Sequence, residues 1–470
     1  MTALQVFSVV LLVFAFVLAI WRDINVGLVT LPAAFLLAEV AHLTPKELYA
    51  GFPTSLVILV LGVMYLFGHA EHSGALARVV RGGERLVGTH VWLLPWIGFG
   101  LAAAISAMGA LPGATVAIVM PITMEAARRR GINSMMMGLI TIFGALAGGF
   151  SPISVFGLLI KNLAEKEHFA VPSGTLFITE FVMYVIVALA SFFIYRGLTL
   201  VRGDAAKSLR FASSSRAQTK VDRAIVHPVS VTAPALSNGL RDVPSRDPDR
   251  GAASKGEERP AEPPAGPRAY EIGSLLAVGV FVAAVLGLGL DVGLTAFALG
   301  LLLHAAFKID DKRIIAALPW GVALILGGLL TYIGVVLKLG TFTVIANGLQ
   351  QFHNVAISAL LLAVFAAFFS SFESSSVTVI AISIPIVLKV EAGVAHNIVF
   401  LILLVVAFCS AAISTSPYHV NGALLVTNGG IDSPKVEQIL FRKLLLWTAV
   451  AAFVLPLITW TIPLVALMIS

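Results

Sequence analysis

Apolar residues gather along the chain in runs of about 20, the length at which one helix crosses a hydrocarbon core. The runs occupy residues 3–20, 24–42, 55–69, 134–160, 172–195, 272–289, 292–307, 320–337, 394–427 and 444–469. They predict an all-α integral membrane protein with about 10 transmembrane helices. The first run has no basic segment before it and no small-residue cleavage site after it, so it reads as a span rather than a cleavable signal peptide. Two longer stretches fit no single span. Residues 91–123 carry Pro112-Gly113 at their centre, and residues 355–388 carry Ser370-Ser371-Phe372-Glu373-Ser374-Ser375-Ser376. Each is long for one helix and short for two crossings with a turn. A re-entrant helical hairpin is predicted for each, its open backbone buried in protein or lining a cavity. Residues 72–86 mix apolar and basic positions as an interfacial helix does, and residues 340–352 read as an uncharged counterpart. Residues 201–269 are rich in Pro, Ser, Arg and Asp without apolar periodicity, and read as a disordered linker.

The pattern is used twice. Ser151-Pro152-Ile153-Ser154-Val155-Phe156-Gly157 recurs as Ser416-Pro417-Tyr418-His419-Val420-Asn421-Gly422, an SPxxVxG segment offset by 265 residues. Pro53, Gly62, Gly68 and Gly74 recur as Pro319, Gly328, Gly334 and Gly340 at an offset of 266, and Pro121 recurs as Pro385 at 264. Residues 1–200 and 270–470 then form two repeats, each of three spans, a hairpin and two spans. Five crossings make an odd number, so the second repeat enters the membrane inverted. Alternate loops, the linker left out, collect fourteen Lys/Arg on one side and five on the other. The richer side is predicted to be cytoplasmic, the linker lying there and both termini outside. Inverted repeats with two opposed re-entrant hairpins are the layout of secondary transporters, whose site lies near the midplane where broken helices meet.

Composition removes other classes. Hydrophobic residues make up 58% of the 470 and charged residues 12%, against about a quarter charged in soluble domains. The net charge of +6 is no nucleic-acid signal, because residues 202–268 hold 12 Lys/Arg and 8 Asp/Glu and so account for most of it. A single cysteine, Cys409, excludes a disulfide framework and cysteine-based metal sites. There is no HExxH, GxSxG or P-loop motif. No enzyme, catalytic residue, metal site or cofactor is expected, beyond a bound Na⁺.

The candidate chemistry lies where helices break. Proline in each SPxxVxG segment removes a backbone donor, and Gly148-Gly149 loosen the first copy further. Half-helix N-termini suit carboxylates or phosphates, and freed carbonyls suit Na⁺. The expected substrate-binding residues are Gly113, Ala114 and Thr115 after Pro112 at the first hairpin tip, with Ser374, Ser375 and Ser376, near Thr378, at the second. Ser151, Pro152, Ile153, Ser154, Ser416, Pro417, Tyr418 and His419 join them from the two segments. Glu373, Ser414, Thr415, Gly148 and Gly149 are assigned to cation coupling. No lysine or arginine occupies mid-membrane sequence, so dipoles, hydroxyls and a co-bound cation would hold an anion. Glu373 is open to three roles: ligating Na⁺, carrying a coupling proton or capping a half-helix. His419 either donates to a carboxylate, carries a proton or is a hydrogen-bonded histidine. Glu180, two turns into a span, reads as facing the bundle interior, and His304 as interfacial.

At these residues the chain resembles a family. GFPTSLVILVLGVMYLFGHA (51–70), GALPGATVAIVMPI (109–122) and GGFSPISVFG (148–157) are similar to the MatC-type dicarboxylate carriers associated with malonate uptake, with SSFESSS and STSPYHVNGAL (414–424) a looser likeness. The resemblance implies a plasma-membrane carrier of small, malonate-like dicarboxylates in the ion transporter superfamily, symporting a cation. It also implies a homodimeric scaffold and elevator-like movement of the hairpin domain. The related divalent anion:sodium symporters place Ser-Asn-Thr at each tip, where this chain has Pro112-Gly113-Ala114-Thr115 and Ser374-Ser375-Ser376. Both Na⁺ and H⁺ therefore stand as coupling ions, with an Na⁺/H⁺ antiporter of the same architecture as the alternative function.

Overall fold

Asn25 opens the second helix by accepting from the Gly27 N–H, and Asp291 opens its counterpart 266 residues on by accepting from Leu294. Such matched caps set the course of the chain in a computed structural model that describes residues 2–22, 24–86, 91–201, 268–309, 312–344, 354–373, 375–390, 393–430 and 433–469. All regular structure among the described residues is helical. The first half runs α1 (Ala3–Arg22), α2 (Val26–Val40), α3 (Pro45–Tyr49), α4 (Thr54–His72), α5 (Ala75–Leu86), α6 (Leu94–Ala107), α7 (Pro112–Arg129), α8 (Ser134–Gly149), α9 (Val155–Lys166) and α10 (Ser173–Val201). The second runs α11 (Arg268–Leu288), α12 (Val292–Phe307), α13 (Lys312–Ala316), α14 (Trp320–Lys338), α15 (Val355–Phe372), α16 (Ser376–Val390), α17 (His396–Ala412), α18 (Val420–Gly429) and α19 (Pro434–Ile469). Met1–Tyr195 and Ala265–Ser470 pack as one unit. The expected linker lies outside the described residues, save for its ends, as do most of the second interfacial helix and Ser374.

Six helices among the described residues are long and apolar enough to cross a membrane, and seven more are apolar but shorter. Large apolar side chains such as Phe14, Phe193, Leu276 and Phe453 face outward, as lipid contact requires, while α8 and α17 are buried along nearly their whole length. The chain is a multi-pass membrane protein. The runs 134–160 and 394–427 each divide at their SPxxVxG segment, as the prolines there predict, giving α8 with α9 and α17 with α18. Two sequence expectations change in detail. The last run begins ten residues early, at Pro434, because Lys435, Glu437, Arg442 and Lys443 interrupt hydropathy without breaking the helix. Pro112–Thr115 is the first turn of α7 and not the open tip, which is Met108–Leu111.

Helix packing follows the offset. α2 packs on α14, and α4 packs on α12. A Cβ on Gly27 would fall on the Leu324 carbonyl and one on Gly328 on the Gly27 carbonyl. At the other crossing a Cβ on Gly62 would fall on the Gly293 carbonyl, and one on Gly293 would meet the Leu59 backbone at 2.8 Å. These small residues bring backbones together where lipid gives helices no hydrophobic reason to associate. The hairpins repeat the rule: α6 and α7 pack on α8, α15 and α16 on α17, while α7 lies on α18 and α16 on α9. Among the described residues, the ion pairs join groups that the loop count places on one side. Lys338 lies 3.4 Å from Glu47, Lys389 lies 2.5 Å from Glu167, and Arg78 pairs with Glu271.

Candidate functional site

The two SPxxVxG segments fold alike because each must end one helix and start another inside a packed interior. The Ser151 hydroxyl donates to the Ala107 carbonyl at 2.5 Å, and the Ser416 hydroxyl donates to the Ser371 carbonyl at 3.2 Å. Each serine thus satisfies the C-terminal end of its hairpin's first helix, one of the orphan carbonyls every helix leaves. Gly157 and Gly422 sit against the carbonyls of Ser151 and Ser416, where a Cβ has no room. Ser151→Ala is expected to cost about 1 kcal/mol through the lost hydrogen bond. The check is thermal unfolding in detergent, with the Ser416→Ala value close to it.

Where the breaks meet the hairpins, a cavity of about 300 Å³ opens. Leu111, Pro112, Gly113 and Ala114 line it from α7, and Ser375, Ser376 and Val377 line it from α16. His419, Val420 and Asn421 enter from α18 and Phe156 from α9, and Asn25, Pro319, Gly321, Val322 and Ile325 close the opposite wall from α2 and α14. The size falls at the lower end for small-molecule sites. Its chemistry comes from the first turns of α7, α16 and α18, whose N–H groups and dipoles favour negative charge. Leu111, which precedes α7, makes no side-chain cap, leaving that turn's donors to whatever enters. Among the described residues no Lys, Arg, Asp or Glu lines the cavity.

His419 caps α18. Its Nδ1 accepts from the Asn421 N–H at 3.3 Å, which leaves the ring proton on Nε2, 3.5 Å from the Ser376 hydroxyl. This contact joins the second segment to the second hairpin. Asn421 Nδ2 donates to the Ser414 hydroxyl at 3.1 Å, while its buried Oδ1 has no partner. That oxygen lies 3.6 Å from where a Cβ on Gly113 would stand, so α7 and α18 meet across it. The hydroxyls of Thr115, Ser154 and Thr378 are also buried without partners beside the cavity walls.

The structure brings Gly113, Ala114, Ser375, Ser376 and His419 together among the expected site residues. Thr115, Ser151, Pro152, Ile153, Ser154, Ser416 and Pro417 stand behind them without lining the cavity, as do Ser414 and Thr415. Gly148 and Gly149 pack against Ala103 and Pro112, and so act by letting the hairpin approach. Tyr418 is 61% exposed and meets the Phe441 ring edge-to-face at 5.8 Å, outside the cavity. Glu373 is buried at the C-terminal end of α15, not at a helix N-terminus, and does not line the cavity. His304 is part-exposed near the end of α12. Asn421, Phe156, Asn25 and the α14 entry were not among the expected site residues. The signals for them were the sixth position of SPxxVxG, where Phe156 and Asn421 correspond, and the repeated Pro53/Pro319.

Comparison with curated proteins yields no match. Residues 1–149 match the family model described as the dicarboxylate carrier protein MatC N-terminus. The match covers α1 to α8, and with them the first hairpin and the α2 and α4 faces of both glycine crossings. Through these 149 residues, about a third of the chain, the protein is similar to the MatC-type dicarboxylate carriers.

Proposed function

We propose that the protein is a secondary carrier for a small, malonate-like dicarboxylate, moved together with Na⁺ or H⁺ across the plasma membrane. The observation that carries this reading is the cavity in which three helix N-termini meet with no lysine or arginine among the described residues that line it. Dipoles and N–H groups hold an anion there less tightly than an ion pair would, as a carrier that must release its substrate requires. One carboxylate rests on the first turn of α7 at Gly113 and Ala114, and the other on Ser375, Ser376 and the His419 Nε2–H. Asn421 Oδ1, buried and lacking a donor, is the oxygen that suits a coupling Na⁺ in the same space.

Length supports re-entry of the hairpins. α6 has 14 residues and α16 has 15, about 21–23 Å at 1.5 Å per residue, against a core of about 30 Å. The offset-matched glycine crossings and offset-matched serine bonds support two inverted repeats, 1–200 and 270–470, and the Lys/Arg count of the loops is the ground for placing both termini outside. In this reading α2, α4, α12 and α14 form a scaffold that a second subunit completes. The hairpins and broken helices slide past it with the substrate, since the cavity lies between α2/α14 and the hairpin helices.

Purified protein in liposomes is expected to take up labelled malonate and succinate when an inward Na⁺ or H⁺ gradient is imposed. Absence of uptake under every gradient, together with Na⁺-driven proton movement, would sink the carrier reading in favour of an antiporter. Glu373→Gln is expected to flatten the pH dependence of uptake. An unchanged profile removes Glu373 from coupling.

A further inference from the structure

Glu180 lies inside α10, fully shielded from solvent, and neither of its carboxylate oxygens receives a hydrogen bond. An ionised carboxylate taken out of water needs a cation or several donors around it. On its own helix, Tyr184 stands one turn further on, and from α17 comes the thiol of Cys409; these are the polar groups close to the Glu180 carboxyl. Neither brings it a proton donor in this geometry. The Tyr184 hydroxyl donates to the Phe408 carbonyl at 3.5 Å, and the Cys409 sulfur lies 3.7 Å from the Thr459 hydroxyl of α19. From α8 and the turn after it, Phe143 and Phe150 meet the Tyr184 ring. Among the described residues no basic side chain forms an ion pair with Glu180. The pocket offers a carboxylate neither a cation nor a donor, whereas a protonated carboxyl requires neither. Ionisable groups within spans are costly, and substrate pathways and proton relays are among the functions that retain them.

The position is also joined to the anion cavity. The Tyr184 ring stacks on Phe150 at 6.0 Å, Phe150 meets Phe156 at 5.3 Å, and Phe156 lines the cavity. This row of rings crosses the break between α8 and α9. A change in charge at Glu180 therefore presses on the same segment that shapes the substrate site.

We infer that Glu180 is a proton-binding site separate from the anion cavity, and that its protonation is coupled to dicarboxylate movement by the packing of the Tyr184–Phe150–Phe156 row, which itself carries no proton. The inference rests on the carrier reading above. One proton is taken up from the side where substrate binds and released on the other, with no redox change.

Two measurements test it. Infrared spectra of the wild-type protein are expected to show a protonated-carboxyl stretch that Glu180→Gln lacks. In liposomes loaded with a pH-sensitive dye, each malonate taken up by the wild type brings protons with it. Glu180→Gln, which matches the neutral acid in shape, is expected to bring one fewer, with uptake less dependent on outside pH. An infrared difference confined to the carboxylate region, or an unchanged proton-to-malonate ratio, overturns the inference. Should the glutamine variant fail to fold, Glu180→Asp keeps an acid at the site, and a wild-type ratio and pH profile in it would tie the proton to the carboxyl. If the aspartate variant carries no proton and the wild-type spectrum lacks the protonated band, the inference falls. Failure of the wild type to take up any dicarboxylate defeats the carrier reading instead, and the infrared result still decides whether Glu180 holds a proton.

Discussion

Gly422→Ala is expected to lower stability by about 3 kcal/mol, the upper end of overpacking costs, and to leave little folded protein in detergent. A Cβ at this position meets the backbone carbonyls of Thr415 and Ser416, and backbone cannot rotate aside as a side chain does. The loss falls on the segment that delivers His419 and Asn421, so any protein that survives should have lost uptake as well. Gly157→Ala is its counterpart, closing on Phe150 and Ser151. Gly100→Ala in α6 is the control. Nothing lies within 4 Å of its added carbon, and helix propensity should raise stability by up to about 1 kcal/mol. Melting temperatures of the three variants decide it, and equal values for Gly422→Ala and Gly100→Ala would refute the steric argument.

Asn421→Asp is expected to reduce malonate uptake (kcat/KM) about 100-fold while leaving the fold intact, roughly 2.8 kcal/mol at 1.4 kcal/mol per tenfold change. The substitution keeps an oxygen within reach of the Ser414 hydroxyl, which then donates instead of accepting. It also sets a carboxylate in a cavity that no Lys or Arg lines, directly against an incoming anion. The sign is open to a pH test: acid neutralises the new carboxyl, so uptake should recover as pH falls. Wild-type uptake by a folded Asn421→Asp protein at neutral pH would show that substrate does not pass this residue.

Much of the fold was legible because a bilayer constrains sequence harder than water does. Spans appear as apolar runs, and the two stretches too long for one span each resolve into a pair of helices. The glycines of the crossings, at positions 62 and 328, were visible as repeats before their contacts were known. Helix ends were less legible. Hydropathy could not place the start of α19 at Pro434, because charged residues near the interface lower the apolar signal without unwinding a helix. The site was legible in part for a related reason. Motif spacing located both segments, but which of seven consecutive residues reaches a cavity depends on the turn that joins two half-helices. Thus Tyr418 points away and Asn421 points in, three residues apart. Asn25 and Pro319 of the far wall lie about 400 and about 100 residues from the α18 residues they face, and no local pattern reports such a pairing.

The glycine crossings between α2 and α14 and between α4 and α12 carry a consequence for temperature. Separating water-soluble elements exposes apolar surface to water and brings a large heat-capacity change, so their contacts weaken in the cold. Parting these crossings within a bilayer would expose backbone and Cα hydrogens to acyl chains, with almost no water involved. The crossings then lose little grip on cooling. A curved Arrhenius plot of uptake would report on the cavity and the lipid rather than on loosening of the frame.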